Sequence, residues 1–279
     1  MSSRPEGSQA PDQFYNDREA VKYNASSRMV SIQAEISNRA IEMLNLPQDR
    51  PSYILDIGCG SGMSGEALEA AGHYWVGMDI SRSMLDVAND KDNDTGDLIH
   101  QDMGLGLPFR PGSFDGVISV SAIQWLCYSD SSDQDPKLRL NRFFSSLYGI
   151  LKRDAKAILQ FYPESPEQAV LVMQCASKVG FAGGLVVDYP NSAKAKKYYL
   201  CLSFERTYQV PAALGEQGAA TGVTSIARTT GRSERKQKKG RAAVKSKDWV
   251  LEKKERRRQE GRATRNDSKY TARRRPAKF

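Results

Sequence analysis

Long apolar runs are missing from these 279 residues. No window reaches the ~18 consecutive apolar positions that a membrane span requires, and the opening MSSRPEGSQAPDQ lacks the apolar stretch of a secretory signal, so no membrane partner is expected. Cysteine and histidine are scarce as well. The four cysteines (Cys59, Cys127, Cys175, Cys201) form no CxxC pair, and there are two histidines. That composition argues against a disulfide framework and offers no ligand set for a metal within this chain, which fits an intracellular, reducing setting. Acidic residues are scarce at one end only. Beyond residue 220 there are 21 Lys and Arg against 6 Asp and Glu, a net of +15, whereas residues 1–220 carry a net of −7. A mildly acidic body with a strongly basic tail suggests a partner such as nucleic acid.

Between these ends, strand-like and helix-like segments alternate. Residues 14–46 carry apolar positions near helical spacing and read as one helix ending before Pro47. Strands are then expected at 53–57, 74–80, 98–102, 114–122, 155–162, 185–189 and 196–204, with helices at 62–72, 81–89, 137–152 and 165–180. This alternation predicts an α/β fold, a seven-stranded, mostly parallel sheet with helices on both faces, finishing antiparallel where the last two strands lack a helix between them. Residues 1–13 read as a flexible start, 14–205 as the folded domain with its N-terminal capping helix, and 206–230 as a linker. Residues 231–279 read as a basic tail for RNA binding and nuclear targeting, too poor in apolar residues for a core of its own, in which 248–260 would become helical on a partner.

The stretch ILDIGCGSG (54–62) runs a strand straight into Gly58, Gly60 and Gly62. Bare backbone at the carboxyl end of a parallel strand permits a tight turn and the close approach of a ligand. The dinucleotide pattern GxGxxG fails, because Met63 stands where its third glycine belongs, and no GK[ST] phosphate loop follows. Asp56 precedes the loop. Asp79 ends the second strand, where a carboxylate accepts hydrogen bonds from ribose hydroxyls, and Asp102 ends the third, placed to meet an adenine amino group with Met103 against the ring. An acidic pocket for a nucleoside without phosphates, favouring a cationic sulfonium, points to S-adenosyl-L-methionine. Cys59 is expected to offer its backbone N–H to the cofactor, and Ile80 and Ser119 complete the expected cofactor-binding set.

ILDIGCGSG, MDIS (78–81), HQDM (100–103) and SFDGVIS (113–119) together resemble a class I, Rossmann-like methyltransferase over about 50–205. Further segments carry a closer likeness: QFYNDREAVKYNASSR (13–28), ISVSAIQWLC (118–127), FYPES (161–165), VVDYPNSAKAKKYYLCL (186–202) and WVLEKKERRRQEGR (249–262). They resemble the eukaryotic 18S ribosomal RNA guanine-N7 methyltransferase family. That resemblance implies a nuclear enzyme, in nucleolus and nucleoplasm with the cytoplasm as a further compartment, acting on 18S rRNA of the pre-40S particle. It also implies a heterodimer with a small zinc-binding activator subunit.

The absences are compatible with this chemistry. Guanine N7 has a free lone pair, so no general base is expected, and no (D/N)PP(Y/F/W) amine-methylation motif follows the fourth strand. Cys127 lacks the Pro-Cys or Thr-Cys context of a pyrimidine C5 nucleophile and reads as a loop or core cysteine. Trp125, Tyr162 and Pro163 are the substrate-loop candidates; Trp125 either stacks on a base or contacts the cofactor, or is a buried aromatic below the loop, and Tyr162 and Pro163 are otherwise a plain strand exit. Tyr15, Lys22 and Tyr23 either cap the pocket or form an amphipathic face, and Lys194, Lys196 and Lys197 either grip phosphates or are simply solvated. His73 and His100 read as surface and strand-end residues. KQKKGR (236–241) and RRRP (273–276) would serve nuclear import. Two other readings share these features, a small-molecule methyltransferase and an assembly factor whose main role is non-catalytic.

Overall fold

The computed structural model describes residues 4–91, 95–129, 135–215, 223–226 and 247–267. They fall into two units, Met1–Thr229 and Thr230–Phe279. In the first, three helices, α1 (Pro11–Phe14), α2 (Asp17–Ala25) and α3 (Ser27–Leu44), precede β1 (Tyr53–Ile57). There follow α4 (Met63–Ala70), β2 (Tyr74–Asp79), α5 (Arg82–Asn89), β3 (Gly96–His100) and β4 (Phe114–Val120). The unit continues through α6 (Pro136–Ile150), β5 (Leu151–Phe161), α7 (Pro166–Val179), β6 (Ala182–Asp188), β7 (Lys197–Ser203) and β8 (Val223–Ile226). The second unit contains α8 (Lys247–Gln259), where helix was expected.

The single helix expected over 14–46 is broken into two, α2 and α3, with α1 ending at Phe14. Asn16 caps α2 by accepting the Glu19 N–H, and Ser26 adopts an extended backbone while its hydroxyl caps α3 through the Met29 N–H. Side-chain capping at these polar residues competes with continuous helix, and here it wins.

The strands lie in the order β3-β2-β1-β4-β5-β7-β6-β8. The first five run parallel, and β7 is antiparallel to both β5 and β6, as the missing helix between β6 and β7 predicted. An eighth strand adds to the expected seven: β8 pairs antiparallel with β6, Val223 against Val186 and Ile226 against Gly183. Part of the segment read as a linker therefore closes this edge of the sheet.

Strand alternation sorts the core into two layers. Leu55, Ile57, Val117 and Leu159 face Phe143, Phe144 and Leu147 of α6 and Val172 of α7. Their neighbours Ile54, Ile118 and Ile158 face Ile36, Ala40 and Leu44 of α3 and Leu68 of α4. With both faces covered, what remains for a ligand is the carboxyl end of the parallel strands, at the reversal of strand order beside β1 and β4.

Candidate functional site

β1 delivers the chain to Gly58 at φ +73°, where an added Cβ would lie 2.2 Å from the Ala122 Cβ. Glycine is required there on both counts, and its absence of a side chain lets the loop after β1 press on the loop after β4. Gly60, at φ +54°, donates its N–H to Asp79 Oδ2 at 3.0 Å, while Asp79 Oδ1 accepts the Ser81 N–H at 2.8 Å. Burial raises the Asp79 carboxyl above its ordinary range, against the downward pull of these backbone donors. The glycine loop and the end of β2 are thus one hydrogen-bonded unit.

Eight of the residues selected from sequence line one cleft: Gly58, Cys59, Gly60, Asp79, Ile80, Asp102, Met103 and Trp125. Tyr15 and Tyr23 line it too, from the N-terminal segment, which docks on the body through Ser81 Oγ donating to the Tyr15 carbonyl at 2.7 Å and Ser83 Oγ to Asp17 at 2.5 Å. Lys22 instead pairs with Glu19 and stays exposed. Trp125 is buried, as one of its readings has it, and it also forms cleft wall, its ring edge-on to Tyr15 at 6.0 Å.

Several expectations need correction. The Cys59 N–H is not offered to a ligand, since it donates to the Met78 carbonyl at 3.1 Å. Ser119 lies behind the wall, fully buried, its hydroxyl donating to the Ile57 carbonyl at 2.7 Å; it ties β4 to β1 and is withheld from the cofactor. Gly62 caps α4 at φ +80° rather than lining the cleft. Asp102 is in the cleft but not free: Arg139 Nη2 lies 3.1 Å from both of its oxygens, and the Gly104 N–H reaches Oδ1 at 2.7 Å. Tyr162 and Pro163 follow β5 outside the lining residues, with the Tyr162 carbonyl held by Arg4 Nη1 at 2.8 Å. His73 is buried, accepting the Ser52 N–H at 3.3 Å, and is not a surface residue.

Spacing alone also missed residues. Gln33 of α3, Met84 of α5 and Arg139 of α6 all reach the cleft. In sequence Arg139 is one charge in an amphipathic helix, with no local signal of a site.

The residues fit S-adenosyl-L-methionine on two observations. Without side chains at Gly58 and Gly60, the loop forms a cradle that a Cβ would fill: one at Gly60 would meet Met84 at 2.9 Å. Beneath it, Asp56 is wholly buried; Oδ2 accepts the Ser64 hydroxyl at 2.5 Å, and Oδ1 has no partner in the protein. Burial raises the Asp56 carboxyl to about 7, Ser64 pulls it down and the Asp79 charge adds to the rise. A buried acid with an unpaired oxygen favours a cationic ligand nearby. Neither nearby cysteine is a ready nucleophile: burial pushes the thiol of Cys59, in the cleft, well up, and that of Cys127, outside its lining, up to about 12. Among the described residues no cluster suits a metal ion.

Comparison with known proteins agrees with this geometry. Residues 55–159 match the family described as "Methyltransferase domain", and 204–277 match "Methyltransferase involved in Williams-Beuren syndrome". The 18S rRNA (guanine-N(7))-methyltransferase of Mus musculus is 51% identical over 278 residues, covering 100% of this chain and 99% of the mouse protein. The Saccharomyces cerevisiae 18S rRNA (guanine(1575)-N(7))-methyltransferase is 48% identical, covering 99% of this chain and all of its own. Among solved structures, a TehB-like S-adenosylmethionine-dependent methyltransferase of Corynebacterium glutamicum superposes at a TM-score of 0.52 with 18% identity, over 67% of this chain and 99% of that one. A putative methyltransferase of Haloferax volcanii, solved with the Trm112 activator, gives 0.50 with 16% identity, over 69% and 97%. The chain belongs to the family of 18S rRNA (guanine-N7)-methyltransferases, built on the class I methyltransferase fold.

Proposed function

We infer that this chain transfers the methyl group of S-adenosyl-L-methionine to N7 of a guanine in 18S rRNA, as a step in 40S subunit biogenesis. The observation that carries it is the glycine loop bonded to Asp79 and opening onto the Tyr15–Trp125 wall. Full-length relatives at 45–51% identity support the same activity and substrate.

The cofactor, when bound, supplies an electrophilic methyl on a sulfonium. The chain's own residues orient and shield it. With the cofactor bound, Asp79, held by the backbone N–H groups of Gly60 and Ser81, would present its remaining lone pairs to ribose hydroxyls, and Ile80 and Met103 would offer apolar contact to its base. Asp56 supplies negative charge beneath the loop. Tyr15 stays a neutral phenol, since burial with the charges of Glu6 and Asp79 raises it to about 12. The N7 lone pair needs no base, so catalysis rests on alignment and exclusion of water. Mapping N7-methylguanosine in 18S RNA from cells lacking this protein tests the assignment; an unchanged methylation pattern would sink it.

The finer parts of the reading are proposals as well. The chain works with a small zinc-binding activator subunit in a heterodimer. Supporting this, β3 is the last strand at its edge of the sheet among the described residues, and such an edge invites pairing with another chain; the archaeal neighbour was solved in complex with the Trm112 methyltransferase activator. The basic tail binds RNA and directs the chain to the nucleus, in nucleolus and nucleoplasm. In α8 the exposed Arg256 and Arg257 support an RNA contact, while Lys254 and Arg258 are bound to Asp267 at 2.6 and 2.5 Å. Both import-like segments, 236–241 and 273–276, lie outside the described residues.

A further inference from the structure

Two cations converge on Tyr162 at the exit of β5. β7 runs antiparallel to β5 with Tyr198 opposite Phe161, so Lys197, the first residue of β7, comes alongside Tyr162 at the end of the sheet where the cofactor cleft opens. Lys197 Nζ lies 5.8 Å from the centroid of the Tyr162 ring and donates to the Ala195 carbonyl at 3.2 Å. From the start of the chain, Arg4 Nη1 donates to the Tyr162 carbonyl at 2.8 Å. Arg4 is exposed but not loose: two residues on, Glu6 Oε1 accepts from Gln124 Nε2 at 3.1 Å, which ties this segment to the loop after β4.

These contacts leave donors over. An ammonium carries three N–H groups and a guanidinium five, and the bonds above use one of each. Among the described residues neither cation pairs with a carboxylate. Asp188, the register partner of Lys197 in β6, is committed to Arg39 at 3.1 Å, and Glu164 accepts from Tyr128 Oη at 2.8 Å. Glu35, which is exposed, is the acidic group whose charge reaches Tyr162. The turn leading into β7 adds exposed Lys194 and half-buried Lys196, held by the Lys196 N–H donating to the Ser192 carbonyl at 2.9 Å. A positive rim thus stands on a body, residues 1–220, whose net charge is −7.

The rim adjoins the place where a base must enter. Tyr23 lines the cleft, and burial together with the neighbouring phenols of Tyr15 and Tyr162 raises its hydroxyl well above the ordinary range. Tyr162 therefore stands next to the aromatic wall without being part of the cleft lining. A nucleotide that delivers its base to a pocket leaves its backbone phosphates outside it.

We propose that Lys197 and Arg4 bind the phosphates flanking the target guanosine, holding the strand at the rim while its base enters the cleft. The inference rests on the RNA methyltransferase reading and deepens it, placing an RNA contact on the folded body, apart from the basic tail. Tyr162 is the positioning residue: its ring and its carbonyl fix the two cations in advance, which lessens the ordering cost of long side chains on binding. Such phosphate contacts set the register of the strand and carry no base identity.

The test uses the full chain co-purified with its activator subunit, saturated with S-adenosylhomocysteine, and pre-40S-derived 18S RNA. Lys197→Gln and Arg4→Gln remove charge from exposed or half-exposed positions. Each should weaken RNA binding about 5-fold and lower the slope of log affinity against log salt by about 0.7, and the double variant by about 1.4. Lys197→Arg should keep the wild-type slope, and affinity for S-adenosylhomocysteine should stay within about 2-fold in every variant. The location is checked with RNA ligated to carry an uncharged methylphosphonate on the 5′ or the 3′ side of the mapped guanosine. On at least one side this should cost wild-type protein about 5-fold and the double variant less than about 2-fold. Wild-type salt slopes in the double variant, or equal methylphosphonate losses in both proteins, would overturn the inference while methyl transfer by wild-type protein leaves the parent reading standing. No transfer by wild-type protein to this RNA would defeat both together.

Discussion

Arg139 holds Asp102: one guanidinium nitrogen lies 3.1 Å from both carboxylate oxygens, across 37 positions of sequence. The contact depends on a missing side chain, because a Cβ at Gly104 would stand 2.4 Å from Arg139 Nε. Asp102 thereby reaches the cleft already oriented by α6, and the expected adenine contact must use the lone pairs that Arg139 and Gly104 leave. Arg139→Met should weaken cofactor binding by about tenfold and lower the melting temperature, since removing one partner of a partly buried pair strands the other. Arg139→Lys should fall between. Calorimetry with S-adenosylhomocysteine checks this, and wild-type affinity in the Met variant would show that Asp102 does not depend on the pair.

Gly58→Ala combines an unfavourable φ with a 2.2 Å clash against Ala122. Cofactor binding should drop below detection while circular dichroism stays near wild type. Ser119→Ala is the contrast. It removes the bond to Ile57 and should cost about 1–2 kcal/mol of stability through the loss of a buried hydrogen bond, with cofactor affinity nearly unchanged. Affinity lost in Ser119→Ala would return that hydroxyl to the cofactor site.

Asp56 gives a pH dependence with a definite sign. Its carboxyl rises from 3.8 in the unfolded chain to about 7 in the folded one. Its contribution to stability is complete below about pH 4 and is lost as pH rises through about 7, because only the unfolded state ionises readily in between. A cationic cofactor favours the ionised form, so binding near pH 6.5 should release protons, and affinity should rise from pH 5.5 to 7.5. Calorimetry in buffers of different ionisation enthalpy measures the release. Asp56→Asn should abolish it, and identical proton release from that variant would point to Asp79 instead.

Deleting 231–279 should weaken binding to pre-40S RNA and flatten its dependence on salt, while leaving cofactor affinity intact. The cut belongs after β8, because truncation at 221 would also strip the strand that covers the edge of β6. Equal salt slopes with and without the tail would refute the RNA contact.

The membership of this chain in an α/β, S-adenosylmethionine-binding fold was written locally. A strand, a glycine turn and a carboxylate at a strand end are encoded within a few neighbouring positions, so Gly58, Gly60, Asp79, Asp102 and Met103 were legible before any coordinates, as was the antiparallel finish from the absent helix. What spacing does not encode is which distant groups satisfy one another. Cys59 spends its N–H on Met78, Ser119 its hydroxyl on Ile57, Arg139 finds Asp102, and Glu6 finds Gln124 from the far end of the chain. β8 returns to the sheet from a stretch whose composition resembles a linker. Those outcomes belong to the tertiary structure, because a polar group excluded from water must take whatever partner the packed chain brings within about 3 Å, however far away in sequence.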